Sequence, residues 1–422
     1  MTDALIIGAG AAGLAAGRGL QAKGWRVAVL EARGRLGGRA WTVDDFADFP
    51  VELGAEFIHG ERAATHALVA AAGLTALPVT RHGAGLWWGA PGATPHGQLD
   101  GATRGTIEAL AAAHGQLARG WSGEGDCSLK AHLKRQGFDA IALGMAEVLL
   151  AQTCCAPLDR LSCADLAREL AGDRAGTREA RIAEGYGALF AHYAQSLEVV
   201  YNAPVTALAR DSGGVVASTP GGEYRGQVAV VAVPVAVLRA GHIVFDPPLS
   251  AAKEEAIAAL ETLPATKLLY RFNRALWPAE LAYLAHGGLA ARWWTPGYGR
   301  GGSDGVICCY ITARRAAALD ALDEAAALEV GLGELEALLG RRDLARHCCG
   351  ARRVAWGTDL WSLGGSAHVP PGAAAAREIL AAPEGDRLFF AGEATAYHSN
   401  PQTVHGALES GWRAAGECRA VC

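Results

Sequence analysis

The chain has 422 residues, of which 51% are hydrophobic and 19% charged, with a formal net charge of −5. That much apolar material suffices for two substantial domains. A mildly acidic balance without runs of Lys and Arg argues against a nucleic-acid surface. The ten cysteines include three adjacent pairs, Cys154-Cys155, Cys308-Cys309 and Cys348-Cys349, and no CxxC spacing. Neither a zinc site nor a disulfide framework is expected, and reduced buried thiols in a cytoplasmic protein are the plain reading.

In chain order, Ala4 to Ile7 reads as a short buried strand, with no basic segment or cleavage site before it. Gly8-Ala-Gly-Ala-Ala-Gly13 forms a turn. Leu14 to Lys23 is Ala-rich and helical, with Gly24 as its stop. Arg26 to Leu30 is the next strand and ends at Glu31. Both strands are continuous apolar runs, as in a parallel sheet covered on both faces. Residues from about 100 to 180 place Ala, Leu and charge at helical spacing. Short strands return at Leu197 to Tyr201, Gly214 to Ser218 and Val228 to Ala232. The longest apolar stretch, Val228 to Leu238, is too short for a bilayer and is broken by Pro234, so no membrane span is expected. Residues 255 to 360 mix helices with strands such as Thr266 to Phe272 and Val306 to Thr312. Leu388 to Ala391 restores the opening style, and a helix follows from about Val404.

Gly8, Gly10 and Gly13 form GxGxxG between a strand and a helix. The first permits the tight turn, the second lets the backbone approach a pyrophosphate, and the third lets helix and strand pack closely. The helix N-terminus then presents free N–H groups to the phosphates. Glu31, at the end of the second strand, is placed to accept ribose hydroxyls and to repel the extra phosphate of NADP. Two further segments point to FAD rather than NAD. Arg33-Gly-Arg-Leu-Gly-Gly-Arg39 offers close backbone approach at Gly37 and Gly38, with charge from Arg35 and Arg39. Phe390-Ala-Gly-Glu-Ala-Thr395 carries a strand-end Glu393 for a sugar-like hydroxyl chain, and Thr403 is an N-cap whose helix aims its positive end at a reduced flavin. The fold class expected is α/β: a discontinuous Rossmann-like FAD-binding domain (1–75, 190–250 and 375–422) with an inserted α+β substrate domain (76–189 and 251–374).

Residues 4 to 60 and 387 to 416 resemble the flavin amine oxidase family, which includes monoamine oxidases, polyamine oxidases and histone demethylases. Val228–Leu238 with Ile243–Leu249 resembles the family's second FAD segment, and Val205 its adenine-contacting residue. Glu52-Leu-Gly-Ala-Glu-Phe-Ile-His-Gly60 is similar to polyamine oxidases in particular, and His59 aligns with an active-site histidine of some of them. Thr266–Phe272 resembles the segment carrying the lysine near flavin N5, here Lys267. Trp356 and Gly364-Gly-Ser-Ala-His368 resemble the region that closes the site. The resemblance implies a cofactor set of Gly8, Gly10, Ala12, Gly13, Glu31, Ala32, Arg33, Arg39, Gly54, Ala55, Glu56, Val205, Trp356, Gly392, Glu393, Thr403 and Val404. Lys267 and His59 carry the chemistry, and His59, Ala367 and Asn400 meet the substrate. No metal is implied.

The sequence departs from the family at two points. Ser366 stands where monoamine oxidases attach FAD to a cysteine, so FAD is expected to be non-covalent. Ala367 and Asn400 stand where many members carry two aromatic rings beside the amine, and Tyr397 or Trp361 are the nearby substitutes. A surface position is expected for Glu56, and structural hydrogen bonds for His398 and His405. The activity implied is oxidation of a small amine, a polyamine or secondary amine favoured, with dioxygen as acceptor and hydrogen peroxide as product. An L-amino-acid oxidase or desaturase-like enzyme is the alternative. The former requires an arginine for the substrate carboxylate, with Arg292 the candidate. A non-enzymatic flavoprotein is the third reading.

Overall fold

The computed structural model describes residues 2–81, 85–121, 123, 125–300, 302 and 304–421; Cys422 lies outside them. Along the chain, strand β1 (Thr2–Ile7), helix α1 (Ala11–Gln21), strands β2 (Val27–Leu30), β3 (Phe57–His59), β4 (Glu179–Ile182), β5 (Gly222–Val231), β6 (Ala265–Phe272), β7 (Arg292–Trp294), β8 (Gly305–Thr312) and β9 (Leu388–Phe390), and helix α2 (Val404–Val421) frame the site. The fold is mixed α/β.

The first sheet has eight strands and turns on β5. The second half of β5 pairs parallel to β1, from Ala4 with Val228 to Ile7 with Val231, and to β9, from Ala229 with Leu388 to Val231 with Phe390. Beyond β1 lie β2 and Glu198–Val200, also parallel. The first half of β5 instead pairs antiparallel with Gly214–Thr219, which continues to Ala207–Asp211. The apolar run beginning at Val228 is thus only the buried, parallel half of a longer strand. Residues 222–225 of β5 are largely exposed, and their polar composition concealed them. Ile7, Leu30, Val231 and Phe390 all end at one edge, outside which ligands bind in open α/β sheets. Helix α1 starts at Ala11, earlier than the periodicity suggests, because Gly10 already sits in the extended conformation of an N-cap.

The second sheet has seven strands, with β6, β8 and β7 adjacent at its centre. Its two faces follow the period of the strand. Leu268, Tyr270, Phe272, Trp293, Ile307, Cys309 and Ile311 pack under the helices Ala313–Asp320 and Glu324–Leu339. Leu269, Trp294 and Cys308 turn the other way, into a cluster with the helices Gly101–Gln116, Ala140–Leu149 and Cys163–Gly172. Lys267 shares that second face. A strand at Cys348–Ala355 borders β6 and was not legible in the sequence. Its Arg and Gly residues lack the apolar run of a central strand. Among the described residues, no helix is long and apolar enough to cross a membrane.

Candidate active site

A cavity opens at the carboxyl edge of the first sheet and continues to the Lys267 face of the second. It is lined by every expected cofactor residue except Gly13, and by Lys267 and His59. Gly13 sits behind the wall. A Cβ there would lie 1.9 Å from the Gly8 carbonyl oxygen, so its absence lets α1 pack against the turn. Gly8 itself has φ +102°, a conformation that L side chains rarely adopt.

Glu31 is buried, and its carboxylate is fixed by two backbone donors, Ala9 N–H at 2.7 Å and Arg33 N–H at 2.9 Å. Gly10 lines the cavity, and a Cβ added to it would meet no protein atom within 4 Å. The space before the α1 N-terminus is therefore open to a ligand. Arg39 donates to the Gly365 carbonyl and to Glu393 Oε1 at 3.1 Å. Glu393 Oε1 also accepts from Ala367 N–H, whereas its Oε2 is buried without a partner. A buried carboxylate oxygen left unsatisfied at a cavity wall calls for a ligand hydroxyl. Thr403 caps α2, its Oγ1 accepting from Gly406 N–H at 3.0 Å. These residues fit FAD: acceptors for its ribose and hydroxyl chain, a glycine cradle and helix N-terminus for its phosphates, and a capped helix end beyond.

Three expectations need correction. Arg35 is not among the lining residues; its guanidinium lies over Trp41, 4.5 Å from the ring centroid, and donates to the carbonyls of Leu36 and Ala40. Ala367 and Asn400 do not line the cavity either. Ala367 is fully buried, its N–H given to Glu393 and its carbonyl taken by Gln402 and Arg377. Asn400 turns to His405, Oδ1 to Nε2 at 3.0 Å, which is the structural hydrogen bond expected for that histidine. Ser366 does line the cavity. The aromatic wall comes from elsewhere: Phe57, Trp294, Tyr310, Trp356 and Trp361 are all lining residues, and Tyr397 is not.

Glu56 overturns its surface assignment. It is buried, with Oε2 at 3.1 Å from Lys267 Nζ and 2.8 Å from Trp294 Nε1, and Oε1 at 3.6 Å from Arg181. Burial would raise its carboxyl, but Lys267 and Arg181 beside it hold it below the ordinary range. Lys267 is 1% exposed, not on a solvated strand face. Burial opposes its charge, and Cys308, Glu56 and Glu52 around it together outweigh that, so its pKa is raised above the ordinary lysine value. Its three donors go to Glu52 O at 2.6 Å, Gly54 O at 3.3 Å and Glu56. An ammonium has no fourth donor, so holding a water requires release of the long contact to Gly54. Glu52, whose carboxyl accepts from Tyr186 N–H and the Thr42 hydroxyl, is pushed up to about 7 by burial.

His59 on β3 meets Glu179 on β4, Nδ1 to Oε1 at 2.7 Å. Arg81 grips the same carboxylate, with Nε 2.7 Å from Oε2. Burial raises the Glu179 carboxyl, and Arg81 and His59 together bring it well below the ordinary range. An ionised carboxylate only accepts, so His59 Nδ1 is the donor and Nε2 carries the lone pair when the ring is neutral. Sequence reasoning missed Arg81, Glu179, Arg181 and Thr153, which sit in no motif. Trp294 and Tyr310 had a weak signal, the alternation of their strands.

A doubly wound sheet with an FAD-shaped cradle, meeting a second sheet that presents a buried lysine, defines a flavin-dependent oxidoreductase. The chain belongs to the flavin containing amine oxidoreductase family, which it matches over residues 11–419. It is 30% identical over 446 residues to lysine-specific histone demethylase 1 homolog 2 of Oryza sativa subsp. japonica, covering 98% of this chain and 56% of that protein. It is 27% identical over 441 residues to polyamine oxidase 4 of the same organism, covering 98% and 88%. The chain thus spans about half the length of the demethylase relative and most of the oxidase. Among solved structures, wild-type putrescine oxidase bound to putrescine matches with a TM-score of 0.86 at 21% identity, covering 99% of both chains. Cyclohexylamine oxidase from Brevibacterium oxydans matches at 0.85 and 21%, covering 100% of this chain and 98% of that one.

Proposed function

We propose that this protein oxidises the C–N bond of a small amine to the imine and passes the electrons to dioxygen, giving hydrogen peroxide. The observation that carries the reading is Lys267, a fully buried ammonium on the cavity wall of a chain in this family. Bound FAD supplies the two-electron oxidant for the C–H bond beside the amine nitrogen. The FAD is non-covalent, because Ser366 offers no thiol. The backbone at Gly8, Gly10 and Gly392, the carboxylates of Glu31 and Glu393 and the capped end of α2 hold it. Residues 1–75, 190–250 and 375–422 form the cofactor domain, and 76–189 and 251–374 the substrate domain. Lys267, itself buried from water, stabilises negative charge developing beside it. His59, its tautomer fixed by Glu179, accepts the proton of an incoming ammonium through Nε2, so that the amine reacts neutral. Phe57, Trp294 and Tyr310 orient the substrate. With these rings on the wall, the replacement of the expected pair by Ala367 and Asn400 no longer selects a polyamine or bulky secondary amine. A cytoplasmic setting is supported by the free thiols of Cys127, Cys154, Cys155, Cys163, Cys308, Cys309, Cys348 and Cys349.

The test is peroxide release by purified flavin-loaded protein on a panel of primary amines, secondary amines, polyamines and amino acids. Saturable peroxide production with stoichiometric loss of the amine is expected. Rapid anaerobic bleaching by NADPH without oxidation of any amine would replace the reading with a reductase. Inertness to the whole panel would favour a non-enzymatic flavoprotein.

A further inference from the structure

Arg292 is a buried charge that amine oxidation leaves unused. It sits on β7, lines the cavity and is 2% exposed. Its Nε donates to the Tyr283 hydroxyl and its Nη1 to Thr153 Oγ1 at 2.8 Å, both neutral groups. Among the described residues, no carboxylate stands within ion-pair distance of it. The other buried cations of this wall do have counter-ions: Lys267 has Glu56, and Arg81 has Glu179. Withdrawing a lone guanidinium from water carries a large penalty unless an anion arrives.

Strand register places this charge relative to the reacting end. Arg292 lies one residue beyond the Trp293–Cys309 pair, opposite Tyr310, and Tyr310 pairs on its other side with Lys267. Alternation puts Arg292 on the same face as Trp294, whose indole reaches Glu56. Lys267 and Arg292 are therefore two strand spacings apart, about 10 Å between backbones. The wall between them carries the rings of Trp294 and Tyr310.

We propose that Arg292 anchors a carboxylate, and that the amine oxidised here carries one: the substrate is an amino acid, its acid on Arg292 and its amine toward Lys267. This rests on the amine-oxidase reading. A guanidinium fork matches a carboxylate in shape as well as charge. Binding it neutralises a buried guanidinium that has no carboxylate counter-ion among the described residues. A diamine in the same place would bring a second positive charge beside an unneutralised first.

The experiment compares kcat/KM for 5-aminopentanoate, L-norvaline, pentylamine and 1,5-diaminopentane. One or both amino acids should exceed pentylamine by at least about tenfold, with the diamine lowest, the better of the two revealing the spacing of acid and amine. Arg292→Gln should bring that ratio to about one, mainly by raising KM for the amino acids. Titration with pentanoate, which has no amine to oxidise, reads the site without turnover: the absorbance of the bound flavin should shift saturably, with Kd raised at least about tenfold in Arg292→Gln. Arg292→Lys keeps the charge and should retain intermediate affinity, which serves if the glutamine variant fails to fold. Amine oxidation with the diamine or pentylamine preferred and an unresponsive Arg292→Gln would overturn the inference and leave the oxidase standing. No turnover with any amine would sink the oxidase reading, and pentanoate binding that ignores Arg292 would sink the anchor in either case.

Discussion

Replacing Lys267 by Met keeps the length and stem packing of the side chain and removes its charge and donors. Two effects follow. The first is on stability. Glu56 loses the partner at 3.1 Å, and the carbonyls of Glu52 and Gly54 lose their donor. Breaking a buried ion pair on one side costs roughly 3–5 kcal/mol. Glu56 keeps Arg181 at 3.6 Å and the Trp294 N–H, so the loss should fall near the lower end, about 3 kcal/mol. Adding Glu56→Gln should recover part of it, because removing both charges of a buried pair is much less damaging than removing one. Denaturant unfolding of wild type, both single variants and the double variant measures this coupling. The second effect is on rate. Loss of the ammonium should slow at least one half-reaction by about tenfold or more, equivalent to about 1.4 kcal/mol in the barrier. Stopped-flow separates the two halves, one anaerobic with substrate and one mixing reduced enzyme with oxygen. Both rates within about twofold of wild type would refute a catalytic role, and an unchanged unfolding midpoint would refute the buried pair itself.

Acid precipitation should release all of the flavin into the supernatant, since Ser366 cannot form a thioether; yellow colour retained in a washed pellet contradicts this. Glu31→Ala removes the acceptor for Ala9 and Arg33 N–H and, on the proposed function, for the ribose. At about 1.5–3 kcal/mol for a hydrogen bond to a charged group, flavin occupancy after dialysis should fall sharply, and unchanged occupancy would remove Glu31 from the site. His405 has its pKa lowered to about 4, chiefly by burial and then by the nearby His59. The unfolded chain therefore binds a proton that the folded chain refuses between about pH 6.5 and 4. Stability from this residue is intact above about 6.5 and declines as pH falls through that window. His405→Gln should flatten that decline, and thermal melts at pH 7, 6, 5 and 4 compare the two proteins. Parallel pH profiles would show that His405 does not titrate this way.

The cofactor half of the site was legible because its chemistry is local. Gly8 to Gly13 and Glu31 fall within one β1–α1–β2 unit, and the Thr403 cap precedes the helix it serves. The substrate half was not, because its partners meet only through tertiary structure. Lys267 and Glu56 lie in separate segments, and nothing near Glu56 in sequence announces that a lysine and an arginine will bury it. Glu179 has no motif, yet it orients His59. The aromatic wall was sought at the positions where relatives carry it, whereas Trp294 and Tyr310 supply it from neighbouring strands of the second sheet. Arg292 was noticed as a residue type, and only the cavity gave it a place.

The pairing of β5 with β1 on one side and β9 on the other has a consequence for biosynthesis. The strand that begins the chain cannot meet its β5 neighbour until residues beyond 231 are made, and β9 closes the set only near residue 390. Contacts this far apart in sequence form slowly, since long loops must close before parallel strands reward them. A nascent chain emerging residue by residue exposes β1 and β2, with their apolar faces and free edges, long before either is covered. The glycine turn after β1 is synthesised long before Glu393 and the Thr403 cap. A flavin held by both segments would be bound only once the later one is made, and in flavin-starved cells the late-closing edge is where aggregation should begin.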